Sequence, residues 1–249
     1  MEKINNNKVI MMLSGGRDSF LSACRLLDDP NVNYYLMLVT FDNGCIRRID
    51  HVKTVADMII QKYGSERVKY LGVYKIENIV REFFPQYFNM TPTEQAEKYY
   101  GLTPSQFHCL VCRSSMYIHA LWLAHYYDAH FIAEGGRRDQ GFVIELPGMI
   151  HERFRRLVES EGFELLLPVY ELNDNWQRDN ELGRRGYLSK VLEAKCIIGF
   201  PLNDSINESV IKGVHAYYDK VILPTIRDRG LLLKETYTNI LENPYDNIG

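Results

Sequence analysis

The sequence predicts an α/β fold: a doubly wound, mainly parallel sheet followed by a helical C-terminal extension. Three observations lead to it. Strand-length apolar runs at 9–13, 34–40, 68–73, 129–134 and 164–170 alternate with stretches of helical periodicity. The second of them, Tyr34-Tyr35-Leu36-Met37-Leu38-Val39-Thr40, is apolar almost throughout, as a strand covered on both faces is. A glycine turn, Ser14-Gly15-Gly16-Arg17-Asp18-Ser19, stands directly between the first run and the first helix. Strand, tight turn and helix in that order make an anion site, because the first N–H groups of a helix have no intrahelical partner and its dipole attracts negative charge.

Taken in order, the helix after the turn is expected at 20–27. The second strand ends at Phe41-Asp42-Asn43-Gly44, which puts Thr40, Asp42 and Asn43 at the carboxyl edge of the sheet beside the turn, although all three also make good turn residues. Val52, Val55, Ala56, Ile59 and Ile60 give a helix over 50–63, with Gly64 to end it. A helix is expected at 76–88, and then a polar, aromatic stretch at 91–105 broken by two prolines reads as an insertion. Tyr99, Tyr100 and Phe107 can stack on a planar substrate, but packing into the insertion's own core is the commoner use. Phe107-His108-Cys109-Leu110-Val111-Cys112-Arg113 leads into a helix with Ile118, Leu121, Trp122 and His125 on one face. Cys112 is expected in its first turn, where the dipole and Arg113 favour thiolate. The fourth strand delivers Gly135-Gly136-Arg137-Arg138-Asp139-Gln140 to the same sheet edge as the glycine turn. Charge-patterned 151–156 reads as a solvated helix face. The tail carries a helix marked by Ile206, Val210, Val214, Tyr217, Tyr218 and Val221, then a second segment after Pro224. Residues 1–200 are expected to form one domain with an inserted segment at 85–108, and 201–249 the extension.

At the glycine turn, Gly15 and Gly16 allow a close backbone approach, Ser14 and Ser19 offer hydroxyl donors, Arg17 a cation and Asp18 a carboxylate within reach of a phosphate-bound Mg2+. The Walker spacing and the third glycine of the dinucleotide fingerprint are both missing. The stretch resembles the PP-loop, Ser-Gly-Gly-x-Asp-Ser, of the N-type ATP pyrophosphatases. That resemblance implies a HUP-like fold of the adenine nucleotide alpha hydrolase type and cleavage of ATP between its α and β phosphates to adenylate a substrate oxygen. It makes Ser14 to Ser19, Thr40, Asp42 and Gly135 candidate ATP contacts, and Asp18, Arg137 and Arg138 candidate catalytic residues. Family members often carry a second motif at the fourth strand end; this chain has its arginine form with Gln140 where an acid stands. Leu166-x-Pro168-Val169 also matches a stretch that closes the sheet in related nucleobase-modifying enzymes.

With 249 residues, 46% hydrophobic and 24% charged, the chain is long enough to bury a full core. No apolar run reaches membrane-spanning length. Met1-Glu2-Lys3-Ile4-Asn5-Asn6-Asn7 lacks the basic start and apolar core of a secretory signal, so a cytoplasmic protein with no membrane partner is expected. A net charge of −3 gives no global pull toward nucleic acid. Five cysteines, two of them in Cys109-x-x-Cys112, suit metal or redox chemistry better than a disulfide framework. Together with Cys196 they resemble the PP-loop tRNA thiolases, in which such a set holds a 4Fe-4S cluster with one open iron. Zinc bound by three cysteines and His108, or a metal-free persulfide pair, are the competing readings. Cys24 and Cys45 are read as core or incidental.

The function these features imply is ATP-dependent adenylation of a carbonyl oxygen on a nucleobase-like substrate, followed by its replacement with sulfur. AMP and pyrophosphate would be released, with Cys109 and Cys112 handling sulfur from a separate donor. The acceptor is expected to be a small nucleobase or nucleotide-like molecule rather than tRNA, because the tail after Gly199 is not basic. Arg137-Arg138, Arg155-Arg156 and Arg184-Arg185 argue the other way if they converge. An ammonia-dependent amide or nitrile former like 7-cyano-7-deazaguanine synthase, though this chain lacks that family's fourth cysteine, and a non-catalytic nucleotide-binding module are the rival classes. The oligomeric state, a homodimer included, stays open.

Overall fold

The computed structural model describes residues 7–83, 91–138, 148–187, 195–196 and 207–233. The chain runs β1 (Asn7–Met12), α1 (Arg17–Leu27), β2 (Tyr34–Asp42), β3 (Ile46–Arg47), α2 (His51–Tyr63), β4 (Val68–Lys75), α3 (Glu77–Glu82), α4 (Pro92–Lys98) and α5 (Pro104–Tyr127). It continues with β5 (Phe131–Ala133), α6 (Gly148–Ser160), β6 (Glu164–Leu166), α7 (Asn175–Arg184), β7 (Lys195–Cys196), α8 (Glu208–Tyr217), a π-helical turn (Tyr218–Ile222) and α9 (Leu223–Asp228). Five strands form one sheet in the order β4-β2-β1-β5-β6, every pairing parallel. The chain moves outward from β1 through β2 to β4 and then returns to the other side of β1 for β5 and β6. That reversal opens a crevice beyond the carboxyl ends of β1 and β5. The doubly wound α/β architecture is the one the sequence predicts.

Successive side chains of a strand face opposite sides, and β1 shows why helices must cover both. Val9, Met11 and Leu13 join Phe20 and Leu21 of α1, Val52 and Val55 of α2 and Leu182 of α7 in one core. Ile10 and Met12 join Leu121 and Trp122 of α5, Phe154 of α6 and Tyr217 of α8 in the other. The C-terminal helices are fastened to this second core. Trp122 Nε1 donates to Leu231 O at 2.6 Å and Tyr217 Oη to Phe83 O at 2.7 Å. The π-helical turn lies just before Pro224; the proline has no N–H to give, and Leu223 N reaches back to Tyr218 O.

Two expectations change. The two prolines of the insertion start helices rather than break the chain. At α4, Glu94 Oε2 accepts from Thr91 N at 2.7 Å while Thr91 Oγ1 accepts from Glu94 N at 3.3 Å. At α5, Thr103 and Gln106 form the same reciprocal box around Pro104. Because α5 begins at Pro104, Cys109 and Cys112 lie well inside it rather than Cys112 in its first turn, beyond the reach of the terminal dipole. Tyr99 and Phe107 stack with ring centroids 4.5 Å apart, and Tyr99 lies 5.8 Å from Tyr217, so both aromatics are core. The helix expected at 76–88 is seen only as α3. Positions 84–90, Gln140 and Ile206 lie outside the described residues. Among the described residues no helix is long and apolar enough to cross a membrane.

Candidate active site

Leu13 N donates to Val39 O at 2.7 Å, so the chain leaves β1 still tied to its neighbour. It then turns at Gly15, whose φ of +77° is the left-handed conformation that glycine adopts without strain. A Cβ on Gly15 would also come within 2.9 Å of Val52 Cγ2. Gly16 takes the N-cap position of α1. The two serines brace the loop: Ser14 N donates to Ser19 Oγ at 3.3 Å, Ser19 Oγ donates to Gly16 O at 3.0 Å, and Gly16 N donates to Ser14 Oγ at 3.3 Å. The result is a fixed helix N-terminus open to a cavity that Ser14, Gly16, Asp18 and Ser19 line.

Gly135, at the end of β5, presses backbone to backbone on this helix start. A Cβ there would lie 2.5 Å from Ser19 N and 2.6 Å from Ser19 Cα, neither of which can rotate away. Gly135→Ala is therefore expected to displace the first turn of α1, costing about 1–3 kcal/mol of stability. Affinity for inorganic pyrophosphate, an anion of the kind a helix N-terminus holds, is expected to fall at least about tenfold with the lost N–H contacts. Melting temperature together with pyrophosphate calorimetry checks this, and unchanged affinity would refute it.

Behind the loop runs a chain of alternating charges that the sequence did not reveal. Arg17 Nη1 donates to Asp179 Oδ2 at 2.8 Å, and Arg178 Nε donates to Asp179 Oδ1 at 2.8 Å. Arg178 Nη1 reaches Asp18 Oδ1 and Oδ2 at 3.3 and 3.5 Å, and Arg137 Nε lies 3.4 Å from Asp18 Oδ1. Arg137 is anchored further by Nη1 to Asp174 O at 3.1 Å and Nη2 to Asn175 Oδ1 at 2.9 Å. Asp174 in turn caps α7, accepting from Gln177 N at 2.7 Å. Arg137 and Arg178 are buried. Arg137 thus meets the loop through Asp18, whereas Arg138 is exposed and contacts Glu171 at 3.3 Å.

The same cavity, about 380 Å3, is lined by Cys109, Cys112 and Cys196. Cys196 arrives on β7, which pairs antiparallel with β3 and sets Ile46 opposite it. Thr40 also lines the cavity, its Oγ1 donating to Leu13 O at 3.0 Å. Asp42 instead closes a turn, accepting from Gly44 N at 2.9 Å. Its neighbour Asn43 reaches the thiols, with Nδ2 3.1 Å from Cys112 Sγ and 3.9 Å from Cys196 Sγ. Among the described residues no three His, Cys, Asp or Glu side chains are grouped to hold a metal ion, which bears equally on the zinc and the cluster readings. Three thiols nonetheless share the wall of one cavity, and thiolates are the donors that zinc and iron-sulfur groups both take. Cys24, by contrast, is buried on α1, and burial pushes its thiol up to about 11.

Arg113 and Glu134 form an ion pair whose members both line the cavity. Glu134 is 2% exposed. His151 Nε2 lies 3.6 Å from Glu134 Oε1, and burial pushes this imidazole down to about 4, so it is neutral near pH 7. Neither residue was singled out from the sequence.

No family model and no curated protein sequence matches the chain. Among solved structures, the chain is similar to the U34-tRNA thiolase NcsA from Methanococcus maripaludis with its [4Fe-4S] cluster: TM-score 0.45, 16% identity, 96% of this chain and 74% of that one covered. A predicted subunit of tRNA methyltransferase from Methanocaldococcus jannaschii gives a TM-score of 0.42 at 16% identity, covering 80% and 99%. NMN synthetase from Francisella tularensis gives 0.49 at 9% identity, covering 86% and 84%. These likenesses are too slight to carry a residue role or an activity to this chain, whose own site joins a phosphate-type loop and three thiols in one cavity.

Proposed function

We propose that this protein is a PP-loop ATP pyrophosphatase that adenylates a carbonyl oxygen of a nucleobase-like acceptor and replaces that oxygen with sulfur. The observation that carries the reading is the shared cavity: the Ser14 to Ser19 loop and Cys109, Cys112 and Cys196 line the same space. The loop holds the β and γ phosphates of ATP through its backbone N–H groups and hydroxyls. The acceptor oxygen forms a bond to the α phosphorus as the bond to the β-phosphate oxygen breaks, and pyrophosphate leaves with the electron pair. Sulfur at the sulfide level then bonds to the acceptor carbon, and AMP leaves with the original oxygen. Asp18 is the loop's carboxylate for Mg2+, and the buried guanidiniums of Arg137 and Arg178 hold it in place. Cys109, Cys112 and Cys196 would hold the 4Fe-4S cluster, which when bound offers an open iron for sulfide.

A small acceptor is favoured over tRNA by the state of the arginines. Arg137 is bound to Asp18, Arg185 to Asp28 at 2.9 Å and Glu181 at 2.6 Å, and Arg156 to Glu152 at 3.0 Å. Each spends its charge on a carboxylate of the chain rather than on a nucleic-acid backbone.

The test incubates anaerobically prepared protein with Mg-ATP, sulfide and either free nucleobases and nucleotides or bulk tRNA. Equimolar AMP and pyrophosphate with a thiolated small molecule is the expected result. ADP and phosphate would overturn the pyrophosphatase assignment, thiolated tRNA alone would overturn the small acceptor, and ATP binding without any product would favour a binding module.

A further inference from the structure

The reading above needs a cation at the α phosphate, and neither arginine expected there lines the cavity: Arg137 is buried on Asp18 and Arg138 is exposed on Glu171. We propose that Arg113 is that cation, a catalytic residue, and that Glu134 is its positioning residue; the proposal rests on the adenylation reading and supplies its missing group. Arg113 follows Cys112 directly on α5, and Glu134 precedes Gly135, whose backbone lies against Ser19. The ion pair therefore spans the gap between the helix start that receives phosphates and the helix that carries the thiols. The acceptor oxygen must meet the α phosphorus in that gap.

Glu134 is enclosed by Arg113, His151 and Gly136. His151 stands 3.6 Å away as a neutral imidazole, and the ring of fully buried Tyr117 lies 5.8 Å from the Arg113 guanidinium. A Cβ on Gly136 would fall 2.8 Å from His151 Cε1 and 3.0 Å from Glu134 Oε1, so a glycine is required for the carboxylate to sit there. Desolvating two charges costs several kcal/mol per ion, and a buried pair is poor value as a stability device. As a fixed guanidinium fork it is well suited to phosphate oxygens. It acts twice: it stabilises negative charge on the α phosphate while pyrophosphate departs, and again while AMP departs.

The test measures turnover and binding on the intact protein. Arg113→Gln is expected to lower the rate of AMP formation about 10²–10³-fold, the usual loss for one preorganised donor. AMP binding, measured by calorimetry without acceptor, should weaken about tenfold, the worth of one charge-assisted hydrogen bond. ATP affinity should change less than about threefold, because its α phosphate carries one charge where that of AMP carries nearly two. Glu134→Gln is expected to lower the rate about tenfold in the parent and to have no further effect in the Arg113→Gln background, as a residue acting through Arg113 must. AMP formation by Arg113→Gln within about threefold of the parent, or additive losses in the double variant, would overturn the proposal. A parent that binds AMP through Arg113 but never forms AMP from ATP would instead sink the adenylation reading and leave the placement of Arg113 standing.

Discussion

Asp18→Ala is expected to remove release of AMP and pyrophosphate by about 10²–10³-fold or more, because the proposed reaction uses this carboxylate for Mg2+ and it is also the partner of two guanidiniums. The expectation follows from geometry: Arg178 and Arg137 approach Asp18 at 3.3 and 3.4 Å, and both arginines are buried. Deleting the carboxylate leaves two buried cations facing each other, so Asp18→Ala is also expected to lower stability by about 3–5 kcal/mol. Asp18→Asn separates the two effects, since the amide oxygen still accepts from the guanidiniums while the charge is gone. It should melt closer to the parent than Asp18→Ala and still fail to release pyrophosphate. Robust pyrophosphate release by Asp18→Asn would show that the carboxylate does no chemistry.

The second large effect concerns the thiols, and it should split the reaction in two. Cys109→Ala, Cys112→Ala and Cys196→Ala are each expected to reduce the thiolated product to background while AMP and pyrophosphate still form, because the proposed reaction uses these cysteines for sulfur and none belongs to the phosphate loop. Protein prepared without oxygen should be brown and contain iron and sulfide, and each substitution should bleach it. Stoichiometric zinc in the parent would restore the structural rival. Full thiolation by any one of the three variants would remove that cysteine from the sulfur site. Asn43→Ala offers a milder companion, since its amide reaches Cys112 and Cys196 and steadies them without being a thiol itself.

What the sequence made legible was local. The loop, the strands that flank it and the doubly wound class follow from short-range signals: glycines between an apolar run and a helix, and strand-length runs spaced by helical ones. The start of α5 was legible too, in Thr103-Pro104-Ser105-Gln106, a capping box with proline at the first helical position, but two prolines in a polar stretch mask that signal. α7 was missed because its residues are almost all polar and give no apolar stripe; its cap, Asp174, was the available clue. Arg178 and Glu134 are another matter. Their roles come from partners far along the chain, and no periodicity reports such a pairing. Asn43 and Asp42 show the finest limit, for adjacent residues at one strand end divide the work by the direction each faces, one toward the thiols and one into a turn.

The charge chain behind the loop carries a consequence for how the protein is made. Asp18 and Arg178 are separated by 160 positions, and Arg17 and Asp179 by 162. At about 5–20 residues per second, a ribosome finishes the glycine loop roughly ten to thirty seconds before it adds the arginine that restrains Asp18. Through the last part of that interval the emerging chain has Arg137 but not Arg178 to place beside Asp18, and it lacks Cys196. In the proposed reaction, nucleotide capture can precede completion of the fold, whereas sulfur chemistry must await the arrival of Cys196.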